Sequence, residues 1–209
     1  GVRVISVEEM YDSKVSDPTF FQIYAVLAES ESRKTSVRVS LGSKEKAKKG
    51  LWVPSITPYG YVRIKDLKDD YLSRSLLSKG HHEHQLYPEP DESKIVYDIF
   101  NWISKGKMGR LSIANHLNSL GIKRRRGNKW TQFAVSKVIK NHVHKGEIRY
   151  VTTKRKVYEN EKGKIINRHM PISSDKHIIV RDAHPRIVSD DLFNAANKIL
   201  QEGRRSYMK

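Results

Sequence analysis

A run of cationic side chains directly precedes a predicted helix near the middle of the chain. The run is Lys123-Arg124-Arg125-Arg126-Gly127-Asn128-Lys129-Trp130, and Thr131 is a typical N-cap for the helix that follows. Free backbone N–H groups at a helix N-terminus and basic side chains beside them both favour phosphate binding. Over residues 121–170 there are 15 Lys and Arg against 3 Glu, a net charge of +12. This segment is the first candidate for contact with a polyanion.

Other side chains suited to chemistry are few. Gly80-His81-His82-Glu83-His84 carries possible metal ligands, but adjacent residues do not easily converge on one ion, so no metal site is expected. No carboxylates cluster as a metal-dependent nuclease requires. The absence of cysteine excludes disulfides, thiol nucleophiles and thiolate zinc sites. The sequence therefore predicts no cofactor.

Composition favours a nucleic-acid partner. The 209 residues include 40 Lys and Arg against 23 Asp and Glu, a net charge of +17, and 37% are hydrophobic. A surplus this large destabilises a compact chain by self-repulsion unless a polyanion offsets it, and nucleic acid is the commonest such partner. No apolar run approaches the roughly 20 residues that cross a bilayer, and the N-terminus lacks signal-peptide order. We expect no membrane association and a cytoplasmic location in a bacterium, with a bacterial or phage gene.

The first fifty residues predict a short strand and then a long helix. Val2–Val7 form an apolar segment with no partner strand expected within hairpin distance, which suggests the end of a truncated domain. Asp17-Pro18 predicts a helix start, and Gly50 marks its end. The first half of this helix is apolar nearly all round, which suits burial against a second subunit or another domain. The second half, from Glu31 to Lys49, carries a net charge of +5.

The remainder predicts a mixed fold. Residues 51–61, rich in Pro, Gly and aromatics, indicate an extended linker. Apolar spacing predicts helices from Asp91 to Gly106, from Leu111 to Gly121 and from Thr131 to Asn141, with Phe133 among the core positions. Residues 147–158 and 164–172 indicate a β-hairpin or β-arm, 178–180 a strand, and Ser189 the cap of a last helix. The predicted fold class is α+β: a long helix followed by a mixed helical domain with a small hairpin or sheet.

Several short motifs together resemble the large serine recombinases. They are Val7-Glu8-Glu9, Ala28-Glu29-Ser30-Glu31-Ser32-Arg33, Pro58-Tyr59-Gly60-Tyr61, Ile113-Ala114-Asn115-His116-Leu117-Asn118, Gly127-Asn128-Lys129-Trp130-Thr131, Asn141-His142-Val143-His144-Lys145-Gly146 and Asp182-Ala183-His184-Pro185-Arg186-Ile187-Val188-Ser189. Each motif is weak by itself, but their order spans almost the whole chain. The family comprises phage integrases and excision enzymes of mobile elements, which cut both DNA strands with a serine nucleophile and exchange strands within a tetramer.

The resemblance implies a division of the chain. Residues 1–50 would end the catalytic domain and include its long helix, and 51–61 would be a linker along the minor groove. Residues 62–209 would be the recombinase domain, which would enter the major groove from about Asp91 onward. The family's Tyr-x-Arg-x-Ser nucleophile motif and its C-terminal zinc ribbon do not occur in the 209 residues. We therefore expect a DNA-binding fragment that is inactive by itself. Duplex DNA and, in the full-length protein, further copies in a dimer or tetramer would be its partners.

Candidate site residues follow from the resemblance and from residue chemistry. By position, Arg38 is the better and Arg33 the weaker candidate for an accessory arginine near the active site. Lys and Arg contacts to phosphate supply affinity, whereas groove-facing side chains of a helix read bases. The residues expected to bind DNA are Lys44, Lys48, Lys49, Arg124, Arg125, Arg126, Lys129, Gln132, Ser136, Lys137, Lys140, Lys154 and Arg155. Of these, Arg124–Arg126 are assigned to the backbone or minor groove, and Gln132, Ser136, Lys137 and Lys140 to base edges.

Two alternatives belong to other classes. A structured-RNA-binding protein would need a similar basic surface with Tyr and Trp, although the aromatic strand motif of common RNA-binding domains is absent. Binding of stem-loop RNA in preference to duplex DNA would indicate it. A self-sufficient nuclease would nick supercoiled DNA in the presence of magnesium.

Overall fold

The computed structural model describes residues 3, 5–7, 11–14, 17–150, 153–161 and 163–206, with the backbone only at 126, 154, 155, 174 and 203–206. The chain divides into two units, Gly1–Ser43 and Lys44–Lys209. The first unit contains a two-residue antiparallel ladder between β1 (Ile5–Ser6) and β2 (Tyr11–Asp12). The prediction that no partner strand lies within hairpin distance was therefore wrong. The segment around β2 is mostly polar, and two residues are too few for an alternating pattern to indicate a strand.

The long helix is confirmed as α1 (Pro18–Lys48). Asp17 caps it, since its Oδ1 accepts a hydrogen bond from the Thr19 N–H at 2.8 Å, and Gly50 follows the last turn with a left-handed φ of +72°. Within α1, Ala47 alone is buried, and the large apolar side chains of its first half are exposed, although Phe21 packs against Tyr11. In the described ranges no helix has the length and hydropathy that a membrane crossing requires.

The polar segment after α1 is more regular than its composition indicates. A hairpin-like ladder joins β3 (Tyr61–Arg63) to β4 (Leu86–Pro88), and α2 (Asp70–Ser78) lies between them in the chain. Asp69 caps α2 by accepting from the Leu72 N–H at 3.0 Å. Residues 51–60 contain no helix or strand, as expected of the linker, but they are packed within the second unit: Leu51 and Gly60 are buried, and Tyr59 contacts Trp130 edge to face.

Four helices supply the core of the second unit. They are α3 (Pro90–Ser104), α4 (Arg110–Ser119), α5 (Gln132–Lys140) and α6 (Asp190–Ser206). Their bounds agree with the apolar periodicity, the caps and the terminal glycines, because each buries one apolar stripe against the others. Ser189 caps α6 as predicted, with its Oγ accepting from the Leu192 N–H at 3.2 Å.

The predicted strand over residues 147–158 is divided between two ladders. β5 (Ile148–Tyr150) pairs antiparallel with β8 (Ile178–Val180). β6 (Thr153–Glu159) pairs antiparallel with β7 (Ile165–Pro171), which confirms the hairpin. An alternating apolar pattern shows that a segment is extended, but it does not show which partner each half selects.

A buried histidine cluster joins β3 to the segment before α6. His144 and His184 are both buried, and the ring of the fully buried Tyr61 lies 6.0 Å from His144 and 4.8 Å from His184 between centroids. His184 Nε2 donates to the Val143 carbonyl at 2.8 Å, and the Tyr61 hydroxyl donates to the Pro185 carbonyl at 2.9 Å. Because desolvation opposes the charged imidazole, burial lowers the pKa of His144 to about 3 and that of His184 to about 4.

We expect acid to destabilise the fold through this cluster. An unfolded histidine has a pKa near 6.5, so below that pH the unfolded state binds protons that the folded state excludes until its own, lower pKa is reached. Each of the two histidines then removes about 1.4 kcal/mol of unfolding free energy per pH unit below about 6.5. Urea unfolding at pH 7, 6 and 5 measures this slope. The variant His144→Phe should lose about half of it, and an unchanged slope would contradict the assignment.

Candidate nucleic-acid interface

Helix α5 presents one cationic face to solvent. Thr131 caps it, with Oγ1 accepting from the Ala134 N–H at 3.2 Å, and Val135 and Ile139 on its opposite face are buried in the core. Exposed side chains on the outer face are those of Gln132, Phe133, Lys137 and Lys140. Phe133 is 68% exposed, so its assignment to the core was wrong. Lys137 Nζ lies 5.1 Å from the centroid of the Phe133 ring, a cation–π distance that orients the ammonium along the helix surface.

A groove runs beside this face of α5. It encloses about 370 Å³ and is lined by Arg110, Phe133, Ser136, Lys137, Lys140 and Asn141. Ser136 lies at its base, only 7% exposed, where its hydroxyl donates to the Gln132 carbonyl at 2.8 Å and accepts from Arg110 Nη1 at 3.2 Å. The structure thus does not support base contact by Ser136, because its side chain is buried and bonded within the protein. Sequence reasoning missed Arg110, which only the fold brings from α4 to this groove.

The basic loop before α5 is held closely to the fold. Arg124 and Asn128 pair through the backbone at 3.0 Å, and Arg124 Nε donates to the Lys129 carbonyl at 3.1 Å. Asn118 and Trp130 exchange two hydrogen bonds of 3.0 and 2.8 Å, which dock the end of the loop on α4. The Lys129 side chain remains exposed, whereas that of Arg126 lies outside the described residues.

The Arg125 side chain forms all its hydrogen bonds within the protein. Its Nε donates to Glu92 Oε1 at 2.8 Å, and Nη2 completes a fork on the same carboxylate. Nη1 donates to the Thr57 carbonyl at 3.1 Å and to Thr57 Oγ1 at 2.6 Å, and Nη2 donates to the Tyr61 carbonyl at 2.6 Å. Five bonds use all five N–H groups of a guanidinium. All N–H groups of the Arg125 guanidinium are thus bonded within the protein, which disfavours the expected phosphate contact.

The remaining candidates belong to elements other than α5. Lys44, Lys48 and Lys49 follow one another at the start of the second unit; Lys48 Nζ lies 2.8 Å from Glu45 Oε1, and Lys49 is exposed. Arg33 and Arg38 belong to the first unit. Arg33 pairs with Glu29 at 2.7 Å in an exposed i,i+4 contact, and the side chain of Arg38 is exposed.

Lys154 and Arg155 lie on β6, opposite Met170 and His169, and their side chains are outside the described residues. In the described ranges no three His, Cys, Asp or Glu side chains are grouped to hold a metal ion. In the segment considered as a metal site, His81 instead contacts Gln85 Oε1 at 3.0 Å, and His84 Nε2 lies 3.1 Å from Glu83 Oε1.

Comparison with known proteins assigns the family. The model of the recombinase family matches residues 90–203, more than half of the chain. The chain belongs to this family, which confirms the resemblance to the recombinase domain of serine recombinases drawn from the motifs. A curated relative, a putative DNA recombinase of Bacillus subtilis (strain 168), is 26% identical over 216 aligned residues; the match covers 100% of this chain and 39% of the relative.

Two solved structures are also similar. A crystal structure of an LSR–DNA complex superimposes at a TM-score of 0.49 with 16% identity, over 79% of this chain and 38% of that one. A structure from a study of the Listeria innocua prophage attP site gives a TM-score of 0.48 with 16% identity, over 78% of this chain and 51% of that one. At TM-scores below 0.5 these likenesses support no conclusion about this chain.

We expect Arg125→Gln to reduce the free energy of unfolding by about 2–4 kcal/mol, because it leaves Glu92, only 18% exposed, without its cation and two carbonyls without donors. Arg125→Lys should recover only part of this loss, since one ammonium cannot match the planar fork. Lys123→Gln, at an exposed position in the same loop, is the matched control and should change stability by less than about 0.5 kcal/mol. Equal urea midpoints for Arg125→Gln and the control would return Arg125 to the DNA-binding candidates.

Proposed function

We propose that this chain binds duplex DNA as part of a site-specific serine recombinase. Membership of the recombinase family supports this, as does the name of the Bacillus subtilis relative. The observation that carries the proposal is the α5 face, where Lys137 and Lys140 stand exposed beside a groove on a helix fixed by its buried side. A rigid helix with a cationic outer face suits insertion into the major groove, which is wide enough to admit it.

The side chains on this face divide between affinity and sequence choice. Lys137 and Lys140 supply ammonium groups for phosphates or for the acceptors of guanine. Gln132, at the first turn of α5, has an amide that can pair with the two major-groove groups of adenine. The exposed ring of Phe133 offers an apolar contact for a thymine methyl group. Arg110, which lines the same groove, adds a third cation.

Further phosphate contacts are proposed around this face. Arg124, Arg126 and Lys129 in the loop before α5 would position the helix on the backbone, and Lys44, Lys48 and Lys49 would add charge at the beginning of the second unit. We leave Arg125 out of this set, because its five hydrogen bonds are made within the protein. Contacts of this kind fix register and raise affinity without reading sequence.

Strand exchange is proposed for the whole protein. The chain spans 39% of the length of its curated relative, and the serine motif that the resemblance implies is not among its 209 residues. Arg38, and less strongly Arg33, would act as accessory arginines. A second copy would cover the exposed apolar side chains of α1, among them Phe20, Ile23 and Leu27, as part of a dimer or tetramer. A cytoplasmic location in a bacterial host accords with these roles.

The double variant Lys137→Gln/Lys140→Gln should weaken binding to an attachment-site duplex and flatten its salt dependence. Removing one phosphate contact reduces the slope of log K against log salt by about 0.9, so removing two reduces it by about 1.8. Fluorescence anisotropy from 50 to 200 mM NaCl measures both effects. Lys68→Gln/Lys79→Gln removes the same charge at exposed positions around α2 and serves as the control.

Three results would contradict the proposal. The first is no binding of attachment-site or scrambled duplex by the wild-type chain at 50 mM salt. The second is tighter binding of stem-loop RNA than of duplex DNA, which would favour the RNA-binding alternative. The third is nicking of supercoiled DNA by this chain with magnesium, which would assign it a nuclease activity of its own.

A further inference from the structure

The β6–β7 ladder is a ribbon without a buried side. Seven residues on each strand pair in register from Thr153↔Pro171 to Glu159↔Ile165, a length of about 23 Å at 3.3 Å per residue. No described side chain of either strand is buried, and both faces carry exposed apolar groups, including Val157 on one face and Met170 on the other. A two-stranded ribbon of this kind is only marginally stable by itself in water. Its sequence therefore reflects something other than packing.

Like charges face each other across this ribbon. Lys156 pairs directly with Arg168, and residues directly opposite in an antiparallel ladder lie on the same face, with Cβ atoms about 5 Å apart. On that face, the next pair toward the turn is Tyr158↔Ile166. The next pair in the opposite direction is Lys154↔Met170. That face thus includes Lys154, Lys156 and Arg168 among its six strand positions and no carboxylate.

In the part of the chain that the structure describes, neither cation of the central pair is neutralised by a carboxylate. Lys156 and Arg168 are exposed, and in the described ranges no carboxylate forms an ion pair with either of them. By contrast, Lys145, another cation nearby in the chain, pairs with two carboxylates: its Nζ lies 3.3 Å from both Glu147 and Asp190. A like-charge pair directly opposite destabilises a ladder, so it lowers the stability of an already marginal ribbon. An external anion that contacts both side chains would reverse that effect.

We infer that the β6–β7 ribbon is a second DNA-binding element, which holds backbone phosphates between Lys156 and Arg168. This inference rests on the proposed function, because it assigns a further surface to the same partner. Duplex DNA presents one phosphate charge per about 1.7 Å of axis, so a ribbon of this length faces on the order of ten of them. A two-stranded ribbon also fits the major groove. Tyr158, exposed beside the cationic pair, supplies a hydroxyl for a phosphate oxygen.

Charge decides between DNA and a second copy of the ribbon. The open edges of β6 and β7 could in principle pair with another chain. Residues 153–171 carry six Lys and Arg against two Glu, so two such ribbons repel each other. A polyanion is attracted by the same charges.

The decisive variant is Lys156→Glu, which replaces the like-charge pair by an opposite-charge pair with Arg168. If the ribbon serves only the fold, this change should slow amide hydrogen exchange in β6 and β7 and leave DNA binding unaltered. If the ribbon binds DNA, exchange should slow in the free protein while the salt slope falls by about 0.9 or more, since one phosphate contact is removed and a repulsive charge is added. Opposite effects on ribbon stability and on affinity are a result that a purely structural role does not produce.

The neutral variant Lys156→Gln/Arg168→Gln tests the same surface without adding a negative charge. Because it removes two phosphate contacts, the slope should fall by about 1.8, and binding at 0.1 M salt should weaken by tens of fold. Lys68→Gln/Lys79→Gln is again the charge-matched control, and circular dichroism confirms the fold of each variant. The inference is overturned if both ribbon variants bind DNA with the slope and affinity of this control.

The experiments distinguish a failure of the ribbon inference from a failure of the proposed function. If the wild-type chain binds no duplex at low salt, both fail. If the wild-type chain binds DNA, the α5 variant weakens binding and the ribbon variants do not, the proposed function stands and the ribbon inference fails. If both sets weaken binding and the quadruple variant reduces the slope by about the sum of the two changes, DNA contacts both surfaces.

Discussion

The clamp between Arg125 and Glu92 connects parts of the second unit that are far apart in sequence. Glu92 in the first turn of α3 accepts from Arg125 and also from the Gly60 N–H at 2.8 Å, while the other arginine donors hold the backbone at residues 57 and 61. Gly60 has a φ of +93°, and a Cβ there would lie 2.9 Å from Val96, so the chain passes close to α3 at this point. One half-buried guanidinium thus docks the segment before β3, and the loop before α5, on the same helix.

The start of α6 is fixed by backbone groups around the buried histidines. The His144 carbonyl accepts from the N–H groups of Ile187 and Val188 at 2.9 and 3.1 Å, and the Gly146 carbonyl accepts from Ala183 at 2.9 Å. Satisfied backbone groups are inexpensive to bury, whereas a charged imidazole is not, so the histidines remain neutral in the fold. Helix α6 packs against α5, so the position of α5 depends on a region whose stability is linked to pH.

The positive charge of the chain has two different uses. Arg125, Lys145 and Arg149 are paired with carboxylates inside the protein, the last two around the nearly buried Glu147. Lys137 and Lys156 stand exposed, the first against an aromatic ring and the second opposite another cation. The cations of the first group already have carboxylate partners, so a count of Lys and Arg overstates the charge available to a polyanion. The surplus of +17 is better described as a few unpaired surfaces than as a uniform field.

The sequence by itself determined helices α1 and α3 to α6, the charge and the family. Helices α3 to α6 follow from local information, since apolar periodicity, caps such as Thr131 and terminal glycines act within a few residues of one another. Local information does not determine where individual side chains point. Phe133 matched the core pattern but points outward, and Ser136 matched the outer face but is buried, because the exact rotation of α5 is set by its neighbours. Arg125 could not be distinguished from Arg124 or Lys123 by residue type. Only the tertiary structure decided which of these cations meets a carboxylate, since Glu92 lies 33 residues away in sequence and 2.8 Å away in space.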